Sequence, residues 1–307
     1  MKKYYPEGVI FQSRQNKKCM ESITSLRECY LSGKILEGKV TLCDREHNLY
    51  VDLGVIGGII PREECAIGIS DGTVRDIAII SRVNKPVAFK IIDFMDDESG
   101  ERTAILSRKR VQEECAEEYI KNLTPGDIID AKITHNESFG SFCDIGCGIS
   151  ALLPIDSISV SRIPHPNARF AVNTMIKAVV KSIDEMGRVT LSHKELLGTW
   201  NENAENFKAG QTVGGIVRSI EKYGVFIELS PNLAGLAEYS DMVEEGDSAS
   251  VYIKSINPEK MKIKLSIVDS FPEQDNTMPM KYFFDGDHMD FWQYSPPICD
   301  KMIESVF

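Results

Sequence analysis

The chain has 307 residues, 42% of them hydrophobic and 26% charged, values usual for a folded protein. No apolar run approaches the ~20 residues of a membrane helix, and Met1-Lys2-Lys3-Tyr4-Tyr5-Pro6-Glu7 has no apolar stretch behind its lysines, so neither a membrane association nor a secretory leader is expected. The net charge of −11 argues at first against nucleic acid.

The distribution of charge changes that reading. Residues 1–32 hold 6 basic and 3 acidic side chains, and residues 33–110 hold 12 and 13. Residues 124–197 and 208–268 each hold 7 and 8. The acid is concentrated in 111–123, 198–207 and above all 269–307, with 2 basic and 8 acidic residues. Three nearly neutral blocks, each able to carry one basic face, are thus separated by acidic connectors and followed by an acidic tail.

In chain order, residues 1–32 form an N-terminal extension. Met20, Ile23, Leu26, Cys29 and Tyr30 fall at helical spacing and predict a short helix. Block one, 33–110, reads as strands around Val40-Leu42, Leu49–Gly54, Ile59–Pro61, Val87–Ile92 and Thr103–Ser107. Asp96-Asp97-Glu98-Ser99-Gly100 reads as a turn. In 111–123, Val111, Cys115, Tyr119 and Leu123 recur every four residues, a linking helix stopped by Pro125-Gly126. Block two, 124–197, repeats the strand plan and ends on Leu191-Ser192 as block one ends on Leu106-Ser107. A second linking helix is expected over Glu195–Phe207, with 198–207 as the connector proper. Block three, 208–268, ends on Leu265-Ser266, and 269–307 is an acidic tail rich in aromatics.

The strongest signal is an internal repeat. Phe139-Gly140-Ser141-Phe142 and Tyr223-Gly224-Val225-Phe226 lie 84 residues apart, each pairing two aromatics about a glycine within an alternating run. The alternation reads as strand and the glycine as a bulge or tight bend. Small domains of five short strands manage their edges by closing into barrels, and the five-stranded example is the OB-fold. The chain is therefore expected to be mainly β: three tandem five-stranded OB-fold barrels joined by short helices.

Block three resembles the S1 RNA-binding domain, an OB-fold repeat, through Gly215-x-Val217, Tyr223–Ile227, Gly235-Leu236, Gly246-x5-Tyr252-Ile253-Lys254 and Lys262-x-x-Leu265-Ser266. Block two resembles it through Phe139–Ile145 and Arg188–Ser192, and block one, less fully, through Tyr50–Gly54 and Gly58–Pro61. The whole is similar to short bacterial proteins of the ribosomal protein S1 type. The resemblance implies base stacking by Phe139 and Phe142 in block two and by Tyr223 and Phe226 in block three, with backbone contacts from Arg188 and Lys262. It implies single-stranded mRNA as partner, with the small ribosomal subunit beside it. The histidine that the family carries after Gly-Leu is absent here, where Pro61, Pro154 and Glu238 stand. In block one His47, Asn48 and Tyr50 replace the aromatic pair, so that block resembles the repeats used for docking on the ribosome.

The physical case for RNA stands beside the resemblance. Exposed aromatics on a curved sheet stack bases, and nearby cations bind phosphates. The candidate cations are Lys132, His135, Lys177, Lys181 and Arg188 in block two, and Arg218, Lys222, Lys254, Lys262 and Lys264 in block three. The alternative for each aromatic is packing against its own barrel. The loop 161–170, with Arg162, His165 and Arg169, either extends the RNA groove or is a solvated basic loop. The tail either docks on a barrel, where it would gate RNA if it covered block three, or binds a partner.

No catalytic constellation is present: there is no Gly-x-Ser-x-Gly, no phosphate-binding Walker loop and no His-Glu-x-x-His. The five histidines never share metal-ligand spacing, and Cys143 and Cys147 lack a second pair, so no metal and no small-molecule cofactor is expected. Scattered cysteines point to reduced thiols and a cytoplasmic setting. The expected function is non-enzymatic RNA binding in translation. The alternatives are a regulatory RNA-binding protein off the ribosome and a protein-interaction scaffold.

Overall fold

The computed structural model describes residues 4–96, 102–272 and 278–307, and all but Asp96 of the turn expected at 96–100 lies outside them. The chain divides into two compact units, one made of residues 1–123 with the loop 144–150, the other of residues 124–143 and 151–307. All eight cysteines are free thiols. Among the described residues no helix is long and apolar enough to cross a membrane.

In the first unit two helices precede a barrel. Helix α1 (Arg14–Cys19) is capped by Ser13 and α2 (Ile23–Ser32) by Ser22, each hydroxyl accepting from a first-turn N–H at 3.1 Å. Gly33, at φ +60°, takes the left-handed conformation that ends α2. Strands β1 (Leu36–Cys43), β2 (Leu49–Asp52), β3 (Gly57–Ile60), β4 (Pro86–Asp96) and β5 (Arg102–Ser107) close in the order β1-β2-β3-β5-β4. Alternation fills the interior with Val40, Val51, Ile60, Phe89 and Leu106. The β3–β4 connection carries α3 (Ile77–Ile80), whose Ile79 joins that core. Helix α4 (Lys109–Glu118) buries Val111 and Cys115, two of the residues spaced by four.

This unit also buries charge. Glu7 accepts from Arg108 Nε at 2.6 Å, Arg108 Nη2 at 3.0 Å and Ala88 N at 3.1 Å, and its own N–H donates to Asp144 at 2.7 Å. Glu37, on β1, is buried nearby, and its Oε2 has no hydrogen-bond partner. Burial pushes its carboxyl from the ordinary 4.5 up to about 7, with Glu7 and Asp144 adding to the rise. A carboxyl raised in the folded state holds its proton while the unfolded one ionises. Stability therefore falls as pH rises from about 4.5 to about 7, by up to ~1.4 kcal/mol per pH unit. Glu37→Gln is expected to flatten that slope in urea denaturation of the first unit across pH 5–8.

The second unit holds two barrels. The first is built from β6 (Ile128–Glu137), β7 (Gly140–Asp144), β8 (Ser150–Pro154), β9 (Met175–Ile183) and β10 (Val189–Ser192). The helix expected over 195–207 is broken: residues 194–197 form a 3-10 turn, Gly198 takes φ +83°, and α5 (Trp200–Ala204) starts afresh. Thr199 and Glu202 form a capping box there, which fixes the restart. The other barrel comprises β11 (Thr212–Glu221), β12 (Gly224–Ser230), β13 (Leu233–Ala237), β14 (Ser248–Asn257) and β15 (Lys262–Phe271). All three barrels share one strand order, the fifth strand lying between the third and fourth. Mainly β architecture with three closed five-stranded OB-type barrels is thus what the chain adopts.

The tail docks within this unit. Phe283 N donates to Leu196 O at 2.9 Å, Tyr294 O accepts from Trp200 N at 3.0 Å, and Tyr294 Oη donates to Asn232 O at 2.5 Å. Met289, Trp292 and Tyr294 join the apolar core that fills barrel three. The tail ends in a two-stranded sheet, β16 (Phe291–Gln293) with β17 (Glu304–Val306). It leaves Tyr223 69% exposed and so does not gate that side chain.

Arg169, from the loop thought to extend an RNA groove, is buried. It pairs with Glu228 of β12, whose other oxygen accepts from Arg218 Nε at 2.6 Å. The glutamate side chain is 0% exposed and Arg218 only 6% exposed.

Candidate nucleic-acid interface

The two aromatic pairs have one geometry. Phe139 and Phe142 meet edge to face with centroids 6.0 Å apart at 88°, and Tyr223 and Phe226 at 6.1 Å and 89°. Edge-to-face contact is a favoured arrangement of two rings. In each pair the first ring is exposed, Phe139 to 54%, while the second is half-buried on its strand. The half-buried ring thus holds an open one in place.

The hairpin turns set this up. Glu221 pairs with Gly224, leaving Lys222-Tyr223 as a two-residue turn, and Ser138-Phe139 occupies the same place between β6 and β7. Tyr223 and Phe139 therefore sit at hairpin tips, not on strands. The glycine is not the bulge: the extra residue is on the partner strand, where Arg218 interrupts the register between Val217 and Ser219. The glycine serves close approach. A Cβ at Gly140 would lie 2.5 Å from Leu153 O, and one at Gly224 would collide with Ala237 O. Gly224→Ala is expected to cost ~1–3 kcal/mol by overpacking. Urea denaturation read by tryptophan fluorescence checks it, since both tryptophans, Trp200 and Trp292, lie in the second unit.

Strand register extends the barrel-three platform. Phe226 pairs with Leu236, Leu236 with Lys264, and Lys264 with Ser255, forming one row across four strands. Lys262 and Lys264 alternate with buried Ile263 and Leu265 and point outward, and Lys222 beside Tyr223 is exposed too. Tyr252, also outward and partly exposed, pairs with Ser266 two residues along β15. Sequence reasoning missed Leu236 and Tyr252 as candidates, although Tyr252 between buried Val251 and Ile253 carries the signal. In barrel two, Leu152 pairs with Thr190, so a threonine stands where barrel three has Lys264.

The remaining candidate cations divide by burial and partner. Arg218 requires correction: as the bulge residue it turns toward Glu228 in the buried ion pair and presents no guanidinium to solvent. Arg188 pairs with Asp184 at 2.6 Å, His135 Nε2 with Glu137 at 2.6 Å, and Lys254 with Glu238 at 2.8 Å. These exposed pairs are worth little in water and open at small cost to a phosphate. Lys132 is half-buried on β6, and Lys181 Nζ donates to Ser157 Oγ at 3.0 Å. Lys177 meets the tail, its N–H donating to Tyr282 Oη at 3.1 Å.

Barrel one has a different surface at the matching place. His47 Nδ1 lies 3.4 Å from Asp76, which also takes Arg62 at 2.7 Å, and Tyr50 Oη donates to Asp44 at 3.3 Å. An Arg62–Asp76 ion pair with His47 beside it stands there in place of two edge-to-face rings. Among the described residues no group of three or more His, Cys, Asp or Glu is placed to hold a metal ion.

A family model, the S1 RNA binding domain, matches residues 31–109 and 122–194. The small ribosomal subunit protein bS1 of Staphylococcus aureus (strain COL) is 28% identical over 285 residues, covering 87% of this chain and 70% of that protein. The bS1 protein of Staphylococcus epidermidis is 28% identical over 284 residues, covering 87% of this chain and 69% of its own length. Among solved structures, a multidomain protein with nucleic acid binding domains from Streptococcus pneumoniae aligns with 77% of this chain and 74% of its own, at 13% identity and a TM-score of 0.26.

Proposed function

We propose that this chain, which matches the S1 RNA binding domain over residues 31–109 and 122–194 and is homologous to bacterial ribosomal protein bS1, is a non-enzymatic RNA-binding protein of the translation machinery that holds single-stranded mRNA on barrels two and three. The observation that carries this reading is the repeated edge-to-face pair, Phe139 with Phe142 and Tyr223 with Phe226. Two equivalent barrels offer one open ring each, braced by a second, at a hairpin tip. A ring so placed stacks on a base whatever its identity. Lys222, Lys262 and Lys264 take the phosphates beside the barrel-three pair, and Arg188 and Lys132 serve the barrel-two pair, with His135 and Lys254 nearby. Tyr252 lengthens the barrel-three track.

Barrel one takes the other task. Its His47–Asp76–Arg62 network satisfies its own charges and offers no ring pair, which suits contact with a protein or the ribosome better than stacking of bases. Binding of an unstructured oligopyrimidine RNA at fixed salt, compared with Tyr223→Ala/Phe226→Ala, tests the stacking claim. Sedimentation of lysate tests the place of action: co-migration with the small ribosomal subunit is expected, and its absence would favour a regulator acting off the ribosome.

A further inference from the structure

The tail sheet has one face inside the second unit and one outside. Strands β16 and β17 pair Phe291 with Val306, Trp292 with Ser305 and Gln293 with Glu304. Alternation sends Trp292 into the core, and Ser305 Oγ donates to Glu195 at 2.7 Å. The opposite face sets Phe291 and Val306 side by side in solvent, 52% and 74% exposed. The loop joining the strands adds exposed Ile298 and Met302. Single exposed apolar residues need no explanation, but an apolar cross-strand pair with two more in the adjoining loop does.

The surrounding charge is one-sided. Residues 285–307 carry Asp285, Asp287, Asp290, Asp300 and Glu304 against Lys301 alone as a lysine or arginine. Glu304 lies on the outward face itself, and Asp290 directly precedes Phe291 with its side chain 94% exposed. An acidic rim repels phosphates, so this face is no continuation of an RNA track. A second copy of the chain is disfavoured for the same reason, because a two-fold contact would set the acidic rim against itself.

We propose that this face docks a basic protein segment in which lysine or arginine alternates with apolar side chains. The apolar residues cover Phe291 and Val306, and the cations meet Asp300 and Glu304.

The test uses the full chain and a labelled peptide alternating valine with arginine and lysine, read by fluorescence anisotropy at about 0.1 M salt, where charges interact over ~10 Å. A second peptide with glutamate in place of each cation serves as comparison. The basic peptide is expected to bind and the glutamate peptide not. Phe291→Ser/Val306→Ser and, separately, Asp300→Lys/Glu304→Lys should each weaken binding at least about tenfold, the ~1.4 kcal/mol scale of a modest interface anchor. Both variants should keep wild-type thermal unfolding and RNA affinity. No binding of the basic peptide, or equal binding by wild type and both variants, would overturn the proposal. So would a dimer in sedimentation that the serine variant dissolves.

Discussion

Replacing Glu228 with alanine is expected to destabilise the second unit by ~3–5 kcal/mol, the cost of breaking a fully buried ion pair by removing one partner. Glu228 stands between two arginines, Arg169 and Arg218, and none of the three is appreciably exposed. Without the carboxylate, two guanidinium groups remain in a site with little water. Arg169 already has Nε and Nη1 without partners, so losing Glu228 leaves its guanidinium only the longer contacts of Nη2. Its Nη2 also reaches Pro231 O at 3.3 Å, which places the triad at the turn between β12 and β13. Urea denaturation followed by tryptophan fluorescence reports this unit. The midpoint should fall sharply for Glu228→Ala, and part of the loss should return when Arg169 and Arg218 are also replaced by methionine, because no buried charge is then left unpaired. A loss below about 0.5 kcal/mol, typical of a surface substitution, would show that the triad does not hold the two barrels.

The second large effect is on RNA. Tyr223→Ala/Phe226→Ala is expected to weaken binding of an unstructured RNA by ~1–3 kcal/mol per base no longer stacked, about 5- to 150-fold in Kd. Phe139→Ala/Phe142→Ala should act in the same direction through barrel two. Tyr223→Phe should bind nearly as wild type, because stacking needs the ring and not the hydroxyl. The competing account is that the rings only pack on their barrels. Tyr223 and Phe139, more than half exposed, have little packing to lose. Tyr223→Ala alone should therefore leave thermal unfolding unchanged while weakening RNA binding, a combination that the packing account does not produce.

Much of this was legible in the sequence for a physical reason: strand alternation and repeat spacing are local signals. The 84-residue offset placed both aromatic pairs in equivalent positions, and the Leu-Ser endings marked the last strand of each barrel. What escaped was set by register. Arg218 reads as one more cation beside Lys222, but the bulge at that residue turns it toward the buried Glu228. Tyr223 reads as a strand residue because Lys222-Tyr223 lacks the Asn-Gly or Asp-Gly chemistry that marks a two-residue hairpin turn. The linking helix over 195–207 reads as continuous until Gly198 and the Thr199 cap divide it. The tail's aromatics announced a packed segment, yet its partners, Trp200, Asn232 and Leu196, are distant in sequence and could come only from the tertiary structure.

The most direct test of RNA recognition by paired rings is the affinity of the full chain for an oligopyrimidine RNA, measured across a salt series for wild type and for the variant with Phe139, Phe142, Tyr223 and Phe226 all changed to alanine. Phosphate contacts set the slope of log affinity against log salt, and stacking sets its height. Two nearly parallel lines are expected, with the four-alanine variant displaced to weaker binding by at least about tenfold at every salt concentration. Lines that coincide would contradict recognition by paired rings, for they would show that the chain holds RNA by charge alone.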